Sequence, residues 1–242
     1  HRLPGCHLDM NTPDYENPAV YDAWYATPLG RLCGELERAA LLNLAAPQPG
    51  EQALEIGSGT GFFTRALAAS GAAVTAIDNS AEMIAYAEEK ARREGITAGF
   101  LTGDGAALSF PDASFDLVCG VTVLCFAAQP ERVIAEAFRV LKPSGRLVIG
   151  ELNRRSPWAA VRRAKARLKE SHYRYARFFS PGELESLVVA AGFSGVAYRT
   201  LLYFPPVNSS LLLRRYRLFE SAGARLAPCS GAFIAALGHK PA

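Results

Sequence analysis

The sequence predicts an α/β chain: a doubly wound, mostly parallel seven-stranded sheet with an antiparallel last strand, an N-terminal helical arm, and helical insertions after strands five and six. Three observations carry that prediction. From about residue 51 to residue 150, short apolar runs alternate with amphipathic stretches, the rhythm of parallel strands joined by right-handed helical crossovers. Gly57, Gly59 and Gly61 directly follow the first run, as expected where a strand enters a tight turn before a helix. Beyond Gly150 the rhythm changes, and a last strand reached from a helical excursion enters antiparallel.

The elements follow in order. Asn11 to Tyr25, with Tyr15, Tyr21, Trp24 and Tyr25, is too irregular for a long helix and too apolar for a free tail; it reads equally as an arm packed on the surface or as a lid. Pro28 to Ala46 has leucines and alanines at near-helical spacing and stops at Pro47-Gln48-Pro49-Gly50. Strand one is Gln52 to Ile56, followed by a helix from Phe62 to Ala69. Strand two is Ala72 to Ile77 with Asp78 at its carboxyl end, and Asn79 or Ser80 caps a helix reaching about Glu94. Strand three is Thr97 to Leu101, ahead of Gly103-Asp104-Gly105. Phe115 to Leu124 is a nearly continuous apolar run, the mark of a strand covered on both faces. Pro130 to Leu141 is a helix, Lys142-Pro143-Ser144-Gly145 a turn, and Arg146 to Ile149 strand five. Ser180 opens a helix to about Ala191, Ser194 to Thr200 is a strand, Ser209 to Ala222 a helix and Gly231 to Leu237 the last strand.

Bulk composition bounds the function. The chain has 242 residues, half of them apolar, and a net charge of +3, so no global charge demands nucleic acid or a membrane surface. Between Arg154 and Arg177 nine Lys or Arg residues stand against one Glu; a solvated helix face is the plain reading and an anionic partner the sharper one, either an acidic group on a ligand or anionic lipid at a peripheral membrane contact. Five cysteines, at 6, 33, 119, 125 and 229, lack zinc-ligand spacing and read as free thiols of a reducing compartment, with no metal site expected. Cys119 and Cys125 lie in the apolar run and read as core. No stretch has the length of a membrane span or the pattern of a signal peptide, so a cytoplasmic protein is expected. Residues 1–9 are expected to be a leader before an initiating Met10, and residues 10–242 one domain.

The glycine turn alone is a weak signal. A dinucleotide fingerprint puts its third glycine where this chain has Phe62. A Gly-Lys-Ser/Thr triphosphate loop and a hydrolase elbow are also missing. Glu55, beside the turn, repels phosphate and suits a positive amine. Asp78, at the tip of strand two, has the chemistry to accept from two ribose hydroxyls, and Asp104, on the same edge, to accept from an exocyclic amine. Three acids on one edge suit a cationic nucleoside.

At these residues the chain resembles the S-adenosylmethionine-dependent methyltransferases of the Rossmann-like class, above all the small-molecule type related to ubiquinone and menaquinone C-methyltransferases. Leu54-Glu55-Ile56-Gly57-Ser58-Gly59-Thr60-Gly61 looks like the first motif of that family, Ala76-Ile77-Asp78-Asn79-Ser80 with Met83 the second, and Gly103-Asp104-Gly105-Ala106-Ala107-Leu108-Ser109-Phe110 the third. Phe115-Asp116-Leu117-Val118 and Leu141-Lys142-Pro143-Ser144-Gly145-Arg146-Leu147 are similar to its next two strands. The likeness covers about Ala19 to Ile149 and thins after that, so that residues 10–46 would be the arm, 47–150 the cofactor-binding core and 151–242 the substrate side.

The resemblance implies S-adenosylmethionine as cofactor and methyl transfer to a small-molecule acceptor by in-line displacement. It implies that Glu55 lies near the methionyl amine and that Gly57, Ser58 and Gly59 contact the cofactor. Asp78 would take the ribose, Asn79 and Met83 flank the adenine, and Asp104, Gly105 and Ala106 read its edge. Tyr21 and Val121 would complete the cofactor wall, with Phe126 near the substrate. A sulfonium is already a strong electrophile, so no catalytic base is assigned; Glu151, His172, Tyr173 and Tyr175 are candidates, and for each the structural or solvent-facing reading outweighs the catalytic one. Tyr15, Tyr21, Trp24, Tyr25, Trp158, Tyr203 and Phe204 are the aromatic supply for an apolar, aromatic or acidic acceptor. Gly120-Val121-Thr122-Val123 after strand four is unlike the Asn-Pro-Pro-Tyr type that grips a flipped base, so no nucleic acid is expected. The rival from another class is a non-catalytic sensor or scaffold using the same cofactor pocket.

Overall fold

A computed structural model describes residues 17–168 and 176–242. Met10, Tyr15, His172, Tyr173 and Tyr175 lie outside those residues. In chain order the elements are α1 (Pro18–Trp24), α2 (Pro28–Ala45), β1 (Gln52–Ile56), α3 (Phe62–Ala68), β2 (Ala73–Asp78), α4 (Ala81–Arg93), β3 (Gly99–Thr102), β4 (Phe115–Val121), α5 (Pro130–Val140), β5 (Leu141–Leu152), α6 (Pro157–Leu168), α7 (Pro181–Ala190), β6 (Ser194–Leu201), α8 (Ser210–Arg214), α9 (Tyr216–Leu226) and β7 (Phe233–His239).

The strands form one sheet in the order β3-β2-β1-β4-β5-β7-β6. Pairings from β3 across to β5 are parallel, and β7 runs antiparallel to both β5 and β6. The chain winds outward through β1, β2 and β3, then returns to place β4 on the other side of β1, so the order reverses between β1 and β4. That reversal opens a crevice at the carboxyl ends of those two strands, where parallel sheets collect ligands.

Both faces are covered. Leu54, Ile56, Val118, Leu147 and Ile149 project into a core closed by α5 and α7, while Ala53, Leu117, Cys119 and Val148 project into a second one with Leu29, Cys33 and Leu41 of α2. Burial on both faces is why these strands read as continuous apolar runs.

β3 and β7 each begin two residues later than the sequence expectation, and three further departures have a local reason. The fourth strand stops at Val121, because Thr122 takes a left-handed φ of 51° that no extended strand tolerates. The fifth begins at Leu141, its pairing with β4 shifting register across the Lys142–Gly145 turn. The single helix expected over Ser209 to Ala222 is two, α8 and α9, broken at Arg215 with φ −98° and ψ 11°.

Candidate functional site

The glycine turn is built by backbone conformation that only glycine adopts without strain: Gly57, Gly59 and Gly61 have φ of 72°, 52° and 74°. Gly57 and Ser58 both donate their N–H groups to the carbonyl of Ile77, 2.8 and 2.9 Å away, which pins the turn to the end of β2. The Asp78 carboxylate holds the same junction from the other side, accepting from Gly59 N at 2.8 Å and Ser80 N at 3.0 Å. Arg65 closes it from below: its guanidinium donates to the Thr60 carbonyl at 2.8 Å and pairs with Glu94 at the end of α4.

Around this turn lies a cavity of about 260 Å³ lined by residues from the carboxyl-end loops of β1, β2, β3 and β4. It brings together Tyr21, Gly57, Gly59, Asp78, Asn79, Met83, Asp104, Gly105, Val121 and Phe126, ten of the positions singled out in the sequence. Glu55, Ser58 and Ala106 are not in its lining. Glu55 is 1% exposed and its carboxylate accepts from the Thr64 hydroxyl of α3, so it braces the strand-to-helix junction from beneath. Ser58 is buried, and its hydroxyl has no hydrogen-bond partner. Ala106 donates its N–H to Asp104 Oδ1 at 2.8 Å, which fixes the aspartate in a local turn.

The lining also includes Ile56, Ser80, Gly103, Thr122, Val123, Ala127 and Val133. Ile56, Val123 and Val133 carry no sequence signal that separates them from core residues. Thr122 is a β-branched residue in the left-handed region, uncommon enough to mark strain at a site; its N–H donates to the Gly150 carbonyl at 2.7 Å. Among the described residues the lining holds two carboxylates, Asp78 and Asp104, and no cationic side chain.

Glu151 stands behind the loop that follows β4. It is fully buried; one carboxylate oxygen accepts from Leu124 N at 2.7 Å and the other has no partner. Burial pushes both buried carboxyls, Glu55 and Glu151, up to about 8; the Thr64 hydroxyl opposes the shift at Glu55 and the Leu124 N–H opposes it at Glu151. Each therefore binds a proton in the folded chain that the unfolded chain has released above pH 4.5, so its contribution to stability declines as pH rises from about 4.5 to about 8. Glu151→Gln, which cannot ionise, is expected to gain on the wild type by up to about 1.4 kcal/mol per pH unit across that window. Denaturant melts at several pH values check this, and a constant difference between the two proteins contradicts it.

The aromatic residues divide. Tyr21 lines the cavity, and a Cβ built on Gly59 would lie 3.7 Å from its ring. Tyr25 stacks on Phe62 at 4.1 Å. Trp158 and Phe204 are core: both are buried and the indole N–H donates to the Phe204 carbonyl at 2.5 Å. The Tyr203 hydroxyl donates to the Pro228 carbonyl at 2.9 Å. In the basic segment Arg154 pairs with Glu183 and Arg177 with Glu131, both at the surface. Cys33, Cys119, Cys125 and Cys229 are free thiols, the first three buried. No helix among the described residues is long and apolar enough to cross a membrane.

Comparison with known proteins finds methyltransferases among the similar chains. The family model described as a methyltransferase domain matches residues 54–149. A phosphatidylethanolamine N-methyltransferase of Cereibacter sphaeroides is 33% identical over 168 residues, 68% of this chain and 79% of that protein. A demethylmenaquinone methyltransferase of Tropheryma whipplei is 40% identical over 117 residues, about half the length of each chain. An uncharacterised protein of Mycobacterium tuberculosis is 36% identical over 207 residues, 84% of this chain and 67% of its own length. Among solved structures, a SAM-dependent methyltransferase of Thermotoga maritima, described as a possible histamine N-methyltransferase, superimposes with a TM-score of 0.71 at 27% identity, over 93% of this chain and 97% of the other.

Proposed function

The chain belongs to the S-adenosylmethionine-dependent methyltransferases, and from that premise we propose that it methylates a small-molecule acceptor with an apolar or aromatic body, seated beside Val121 and Phe126. The observation that supports this most is the chemistry of the cavity wall: two carboxylates, a turn of bare glycine backbone, and no cation. Such a wall suits a nucleoside that carries a positive charge and is a poor seat for phosphates.

The residues present fit that cofactor. Gly57 leaves no room for a side chain, since a Cβ there would lie 2.7 Å from Val123 Cγ2; the backbone itself is the cradle. In this reading Asp78 accepts from the ribose hydroxyls with the lone pairs that Gly59 and Ser80 leave free. Met83 and Asn79 flank the adenine, and Asp104, held by Ala106, reads its edge together with Gly105. Glu55 acts from one layer below, through the junction it braces.

When bound, the cofactor supplies a methyl group on a sulfonium centre, an electrophile that needs no further activation. What remains for the chain is to bind the acceptor, align it and keep water away. Val121, Val123, Phe126, Ala127 and Val133 offer an apolar wall for that purpose. The relatives named for demethylmenaquinone and phosphatidylethanolamine also take acceptors with a large apolar part. No general base is assigned.

Methyl-labelled S-adenosylmethionine incubated with the protein and a metabolite extract tests this reading. Label is expected in the organic-soluble fraction; tight cofactor binding with no labelled product across broad extracts contradicts it.

Tyr21 reaches the cavity from α1, and α1 is tied down by one ion pair. Asp22 accepts two hydrogen bonds from Lys90 of α4 at 2.6 Å and a third from the Tyr86 hydroxyl at 3.3 Å. The pair is partly solvent-exposed, so Lys90→Ala is expected to raise KM for the cofactor by only about threefold, with kcat and melting temperature nearly unchanged. Steady-state kinetics at saturating acceptor check it; a fall in kcat with KM unaltered contradicts a positioning role for the arm.

A further inference from the structure

Away from the cavity wall, the α8–α9 segment presents an unusual surface. Residues 209–227 contain four arginines and a single acid, Glu220. That acid is turned inward: its carboxylate accepts from Leu202 N at 3.1 Å and Tyr203 N at 2.7 Å. Gly223 lies on the same inner face, so close to Tyr203 that a Cβ would meet its Cδ1 at 2.2 Å. These contacts decide which side of α9 faces out. By helical spacing Arg217, Leu218, Ser221, Ala222, Arg225 and Leu226 then share the outer side, and all six are exposed.

The exposure is large. Leu218 is 68% exposed, Leu226 85%, and Leu211 of α8 62%. Arg214 and Arg215 lie between them and are exposed too. Among the described residues none of the four arginines pairs with a carboxylate; Arg217 lies over the Tyr216 ring and donates to its hydroxyl. Single exposed leucines need no explanation, but three in one segment among unpaired arginines are a patch.

We propose that the outer face of α8–α9 docks on an anionic lipid bilayer, with Leu211, Leu218 and Leu226 entering the boundary between headgroups and acyl chains and Arg214, Arg215, Arg217 and Arg225 meeting lipid phosphates. A bilayer is the partner that satisfies both halves of the patch: apolar depth for the leucines and negative charge for the arginines. A nucleic acid would engage the arginines and leave the leucines in water. A second copy of the chain would set eight arginines against each other, which like-charge repulsion opposes. The inference stands on this surface alone and does not depend on the identity of the methyl acceptor.

The test is co-sedimentation of the full chain with vesicles of phosphatidylcholine alone and of phosphatidylcholine mixed with phosphatidylglycerol, at low and high salt. Binding is expected to favour the anionic vesicles by about tenfold or more and to weaken with salt. Leu218→Ser with Leu226→Ser is expected to lower binding at both salt concentrations, whereas Arg214→Gln with Arg217→Gln and Arg225→Gln removes the salt dependence. All five positions are exposed, so melting temperatures serve as the control for folding. Equal binding to both vesicle types overturns the proposal. So do leucine variants that bind like the wild type, or a dimer in solution that the leucine substitutions dissociate.

Discussion

Asp78→Ala is expected to weaken S-adenosylhomocysteine binding by at least roughly 10- to 100-fold, measured by calorimetry. A hydrogen bond to a charged group contributes about 1.5–3 kcal/mol, and each 1.4 kcal/mol or so is a factor of ten in affinity. Removing the carboxylate costs more than its ligand contacts, because Gly59 N and Ser80 N lose their acceptor in the same step. Asp78→Asn is the milder change. Gly59 N and Ser80 N bond to different oxygens of the carboxylate, so the amide keeps the size and an acceptor for only one of them while the charge is lost, and an intermediate affinity is expected. An unchanged dissociation constant in Asp78→Ala would contradict the assignment of this residue to the ribose.

Gly57→Ala is expected to be as damaging by a different route. The added methyl would lie 2.7 Å from Val123 Cγ2 and 2.9 Å from Val123 Cβ, closer than real contacts allow, and the residue would have to hold φ at 72°. Overpacking typically costs about 1–3 kcal/mol and a left-handed non-glycine residue about 1–2 kcal/mol more. Val123 cannot retreat without moving the Thr122–Ala127 loop that forms the acceptor side of the cavity. Lower stability in denaturant melts and loss of methyl transfer are both expected. The comparison is Gly50→Ala, at an equally left-handed φ of 82° with nothing within 4 Å of the added Cβ, which carries backbone strain without the clash. Gly57→Ala behaving like Gly50→Ala would mean that the close approach to Val123 has no consequence.

The polar edge of this site was legible because its chemistry demands rare residues at fixed places. A glycine turn after β1, an acid ending β2 and an acid after β3 are each visible one strand at a time, and parallel winding brings all three to one crevice. The apolar wall was not legible. Ile56, Val123 and Val133 face the cavity with the same side chains that fill the core beneath, and nothing in the order of residues separates the two roles. Trp158 and Phe204 show the converse: aromatic residues beyond Gly150 looked available for an acceptor wall, and tertiary packing spent both on the core.

Local strain was equally hidden. Thr122 ends β4 three residues before the apolar run does, because its left-handed φ comes from the loop's anchorage, through Thr122 N to Gly150 O and Leu124 N to Glu151, and not from its own preference.

The central claim is that two carboxylates and a bare glycine turn make this cavity a seat for a cationic nucleoside and exclude phosphate-bearing ones. Calorimetric titration of the protein with S-adenosylmethionine, with NAD and with ATP tests it directly. S-adenosylmethionine is expected to bind with one site per chain, with no measurable heat from NAD or ATP at the same concentrations. Binding of NAD or ATP in preference to S-adenosylmethionine would contradict the claim.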